Sequence, residues 1–96
     1  MHTRVVETGN YQNITSSTQI ASGVSNLMGI FVASASSTPT IKVWDSLSAA
    51  GGVIANTFTP IGGTFYPIPV FAGVGIYVEI SGTVDCTVIW KPRVGN

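Results

Sequence analysis

The stretch VGIYVEISGTVDCTVIWK, residues 74–91, decides the fold. It consists of two alternating runs joined at Ser81-Gly82-Thr83. In the first run Ile76, Val78 and Ile80 share one parity, with Tyr77 and Glu79 on the other. In the second, Val84, Cys86, Val88 and Trp90 share a face, and Asp85, Thr87 and Lys91 take the opposite one. A period of two marks half-buried strands. A short glycine-bearing link between two such runs reads as an antiparallel hairpin, so the stretch predicts an all-β domain.

Outward from this stretch the same grammar continues. Residues 64–70, TFYPIPV, carry Pro67 and Pro69 at alternate positions, which removes two amide donors and predicts a sheet margin. Residues 53–60 read as a strand, as do residues 40–45, where Ile41 and Val43 face in and Lys42 and Trp44 face out. Between them DSLSAAGG, residues 45–52, reads as a loop, and residues 36–39, SSTP, as a turn. Residues 24–34 are apolar on both parities, the mark of a central strand covered on both sides. Their β-branched and aromatic content argues against a helix. Residues 11–20, rich in Ser and Thr, read as one edge strand. The expected architecture is a single antiparallel β-sandwich of seven or eight strands, a jelly roll being one form of it, with no helix. Residues 1–10 form an arm or short strand, 11–92 the sandwich domain and 93–96 a tail.

The chain of 96 residues is of ordinary single-domain size. A lone Cys86 excludes an internal disulfide and a cysteine-based zinc site, and its apolar parity makes it a buried small hydrophobe rather than a reactive thiol. Charged residues make up only 8% of the chain, against roughly 25% in an average soluble domain, and the net charge is zero. Such a surface is either kept in solution by Ser, Thr, Asn and Gly or covered by neighbouring subunits. The second reading is adopted. No signal-peptide core is seen near the first residue, and the longest apolar run is far too short to span a bilayer, so no membrane partner is expected. Asn13-Ile14-Thr15 fits the glycosylation sequon but is read as a chance match.

Enzymatic chemistry needs titratable groups in partnership. The only histidine is His2, and the four carboxylates, Glu7, Asp45, Glu79 and Asp85, are scattered. Across the expected hairpin Glu79 and Asp85 would approach each other, and they are read as two solvated strand residues. No nucleophile elbow, phosphate loop or cofactor fingerprint is present, and neither catalytic residue, cofactor nor metal ligand is assigned. Four cations balanced by four anions leave no basic stripe for nucleic acid. The outward aromatics Trp44 and Tyr77 allow a protein interface, packing under a loop, or stacking on a sugar.

Residues 38–90 carry a recognisable pattern: the aliphatic-aromatic-Asp step Val43-Trp44-Asp45, a Gly/Ser loop, the strand NTFTP at 56–60, and the glycine-led GIYVEISGTVD at 75–85. In these features the chain resembles small all-β proteins of tailed-phage virions. The resemblance implies a virion component of the capsid cement or decoration kind, assembled in the host cytoplasm and acting as a homo-oligomer, trimers being favoured. Its implied partners are the major capsid protein or other virion proteins. The alternative is a tail or head-fibre component that binds a receptor or glycan. The resemblance supplies no catalytic residue. Contact residues are expected at Arg4, Val5 and Val6 of the arm and at Trp44 and Tyr77.

Overall fold

The computed structural model of the chain describes residues 8–92. Within them the protein is all-β, one antiparallel sheet of six strands with no helix. The strands are β1 (Asn10–Ile14), β2 (Thr18–Ser22), β3 (Ser25–Ser48), β4 (Ala50–Phe58), β5 (Thr64–Ala72) and β6 (Gly75–Pro92). Their order is β1-β6-β3-β4, with β2 also beside β6 and β5 also beside β3.

The two runs of residues 74–91 do not pair with each other, so the expected hairpin is absent. They form one strand, β6, and both runs pair with β3: Val88 with Ile30 and Cys86 with Val32 in one stretch, Ile80 with Ile41 and Val78 with Val43 in the other. Gly82 does take the left-handed conformation a turn would use, with φ +79°. Opposite it on β3, Ser37 and Thr38 are left-handed as well, with φ 62° and 56°, and the register slips between Ser36 and Thr40. Paired irregularities let the two strands bend together instead of parting. A left-handed glycine between alternating runs serves a turn or a bulge equally well. Here β3 offers both runs a partner, and the bulge wins.

The same event changes the strand count. β3 joins the runs at 24–34 and 40–45 that read as separate strands, and β6 joins two more. The run at 11–20, expected to be one strand, is split instead into β1 and β2. At the split Ser17 ties the chain to β6, its Oγ accepting from the Ile80 N–H at 2.8 Å and donating to the Ile80 carbonyl at 3.3 Å. The expected loop at 45–52 is mostly strand too, since Asp45 pairs with Gly52 and Ser48 with Ala50 in a close-coupled β3–β4 connection. The proline-bearing strand β5 does lie at a margin, pairing with β3 alone.

The bend doubles the sheet over. β4 pairs with β3 through Phe58 and Ile41, and β5 through Tyr66 and Ile30. In a straight strand Ile30 and Ile41 would stand roughly 36 Å apart. Yet the rings of Phe58 and Tyr66 lie with centroids 5.1 Å apart. The two halves of β3 have therefore folded back, and one hydrophobic cluster gathers Leu27, Ile30, Val32, Val84, Cys86 and Val88 from one half with Ile41, Val43, Ile76 and Val78 from the other. The inward parity expected for Ile41, Val43 and Cys86 holds; all three are fully buried.

Candidate functional site

Two outer faces remain, one on each half of the doubled sheet. On the half built by β2, β6, β3 and β4, register places Gln19, Tyr77, Trp44 and Val53 in one row, with Lys42 opposite Glu79 in the next. Trp44 and Tyr77 are adjacent and half-buried. The Lys42 ammonium lies 4.2 Å from the centroid of the Trp44 ring. The indole N–H donates to Glu79 Oε1 at 3.1 Å. One face and the polar edge of this indole are thus engaged by neighbours on the same sheet. A cation over an aromatic face at a surface site contributes about 0.5–1 kcal/mol.

The other half, β1, β6, β3 and β5, exposes a different face. Asn13, Thr87, Phe31 and Phe65 form one row across four strands, and Tyr11, Ile89, Gly29 and Pro67 the next. Phe31 is 41% exposed, Phe65 47% and Tyr11 77%. Gly29 explains how so much apolar surface fits. A Cβ there would come within 2.6 Å of Phe65 Cζ and 2.7 Å of the Tyr66 carbonyl oxygen. Without one, the Phe65 ring settles over the β3 backbone beside Phe31. The sequence offered a signal for this face in the run at 24–34, apolar on both parities. The expectation that a neighbour or loop covers the second side is met only in part at Phe31, because β5 lies beside β3 in the sheet and leaves the ring 41% exposed.

The dispersed polar groups are spent on the fold. The Asn13 amide nitrogen donates to Asp85 Oδ1 at 2.8 Å, to the Cys86 carbonyl at 3.0 Å and to Thr87 Oγ1 at 3.3 Å, so the atom a glycan would modify is engaged. Glu79 and Asp85 sit on one strand on either side of Gly82, each with its own donor, and do not form a pair across a hairpin. Asp45 accepts three consecutive amides of the β5–β6 link: Gly73 on Oδ2 at 3.0 Å, Val74 and Gly75 on Oδ1 at 2.8 and 3.2 Å. Burial raises the Asp45 carboxyl, but the three N–H donors outweigh it and hold the group below its usual range. Burial, with the Asp85 charge nearby, pushes the Cys86 thiol up to about 11. Among the described residues no three acidic, His or Cys side chains are gathered where a metal ion would sit.

Trp44 and Tyr77 are brought together as expected. The remaining expected contact residues, Arg4, Val5 and Val6, lie outside the described residues. Phe31, Phe65 and Tyr11 were not singled out from the sequence. Comparison with family models, with curated proteins and with solved structures finds no match for this chain.

Proposed function

We propose that this chain is a structural protein of a phage virion, a capsid cement or decoration protein that binds between capsomers and stabilises the shell. The observation that carries the reading is the exposed aromatic row Phe31–Phe65 with Tyr11 beside it, on a chain of only four cations and four anions. A contiguous apolar face on a charge-poor surface is suited to lasting cover by other subunits. The resemblance of residues 38–90 to tailed-phage virion proteins supplies the biological setting. In this reading the doubled sheet works as a β-sandwich whose inner faces supply stability and whose outer faces supply contacts. Symmetric repetition of modest contacts, as in a trimer on a lattice, converts weak binding into stable attachment. The glycan-binding alternative is less well supported, because it needs a free platform at Trp44, and the Lys42 ammonium sits over that ring.

The test is to measure the molar mass of the purified chain by light scattering and its co-sedimentation with purified empty capsids. A trimer that saturates capsid sites is the expected result, with Phe31→Ser/Phe65→Ser losing at least tenfold in capsid affinity while keeping the parent circular dichroism spectrum. A stable monomer without capsid affinity overturns the proposal.

A further inference from the structure

Between β4 and β5 the doubled sheet leaves an apolar slot of about 340 Å³, lined by Ala55 and Phe58 from β4 and by Tyr66, Pro67 and Ile68 from β5. Both strands are margins: each pairs with β3 and neither pairs with the other. The two margins differ in what they offer. β5 carries Pro67 and Pro69, so two positions of one parity have no N–H to give. β4, AGGVIANTF, has neither proline nor charge, two of the devices that normally blunt a strand edge, although its ladder with β3 slips in register. An extended segment entering the slot would therefore take its main-chain hydrogen bonds from β4 and lay alternate side chains against Tyr66, Pro67 and Ile68. Strand addition of this kind draws affinity from the main chain and specificity from alternate side-chain pockets.

We propose that the slot receives residues 3–8, TRVVET, from a second copy of the chain. This segment reads from the sequence as a strand or arm, with Val5 and Val6 as its apolar residues. Distance weighs against Val5 and Val6 of the chain's own copy. The chain enters the sheet at Asn10, with Gly9 just before it beside the Trp90 carbonyl and Met28. From β1 to β5 the sheet crosses β6 and β3, three strand spacings of about 4.8 Å each. Four residues from Gly9 back to Val5 extend to at most about 14 Å. Val5 would be stretched to its limit on reaching β5, and the slot lies beyond that strand. A second copy has no such constraint, and exchange between identical subunits repeats one contact around a symmetry axis. The inference rests on the assembly reading above, but self-association is measured on the purified chain alone and capsid attachment is not needed for it.

The experiment uses the full chain, a chain lacking residues 1–7, and a fluorescent peptide of residues 1–8. Light scattering should show an oligomer for the full chain and a monomer for the shortened one. The peptide should bind the shortened chain saturably, and Val5→Asp/Val6→Asp in the peptide should weaken binding at least tenfold. Pro67→Glu, an exposed position on the slot rim, should weaken it similarly while the melting transition stays within a few degrees of the parent. Equal molar mass for the full and shortened chains overturns the proposal, as does a peptide that binds Pro67→Glu undiminished. A full-length monomer that refuses the peptide the shortened chain accepts shows the segment folded onto its own copy, and that also overturns it.

Discussion

Asp45 joins the end of β3 to the link between β5 and β6 through three amides that would otherwise end in solvent or in the interior. Replacing it with Asn keeps one acceptor oxygen but turns an N–H₂ group toward backbone donors. Asp45→Asn is expected to lose about 0.5–1.5 kcal/mol at neutral pH, read from urea unfolding. The pH dependence has a definite sign. A carboxyl held low in the folded state adds stability above its unfolded value, about 3.9, and that contribution drains away as pH falls through the lower folded value. The melting temperature of the parent should therefore fall below about pH 4, and that of Asp45→Asn should fall less over the same range. Cys86 has the opposite sense. A thiol raised to about 11 from 9.0 leaves stability intact below pH 9 and removes it as the pH approaches 11. Fully buried, it should resist iodoacetamide at pH 8 in the folded chain and react completely in urea, as mass spectrometry would report. Labelling of the folded protein at the same rate would show that the β6 core face opens readily.

At the scale of the element, the bend between the halves of β3 and β6 depends on Gly82. A Cβ there would lie 2.6 Å from the Ser37 carbonyl oxygen and 2.9 Å from Pro39 Cα, backbone that cannot move aside, and φ would remain at +79°. Gly82→Ala should cost about 3 kcal/mol or more in chemical denaturation; a loss below about 0.5 kcal/mol, the level of a neutral surface change, would mean that the bend is not fixed there. The same element marks how far the sequence could be read. Parity was legible: Ile41, Val43, Val84, Cys86 and Val88 are inward because a pleat allows nothing else. The prolines of β5 announced a margin. Pairing was not legible, because Ser81-Gly82-Thr83 is equally good chemistry for a hairpin and for a bulge, and only the partner strand β3, some fifty residues earlier, decides. For the same reason the pairing Trp44–Tyr77 came out of two strands whose alignment no local pattern fixes. The exposed row at Phe31 stayed hidden behind a sound rule: apolar parity on both sides normally means cover on both sides, and here Phe31 and Phe65 keep much of their surface open.

For the whole molecule, pairing is almost entirely between distant parts of the chain. β1 and β2 lie against β6, and β3 spans both halves. Loops of this length must close before any contact forms, which places refolding in the millisecond-to-second range; stopped-flow tryptophan fluorescence would check it, and a microsecond phase carrying the full amplitude would contradict it. The first strand and the last have a further consequence. Asn10 faces Trp90 at one end of the β1–β6 ladder, and Ile14 faces Cys86 at the other. Tension applied at Thr8 and Pro92 would thus load the ladder at its tip, parting one rung after another instead of shearing all of them together. The molecule should be compliant when pulled by these two points. A subunit tethered by both ends would peel under load; one held through its broad faces would not.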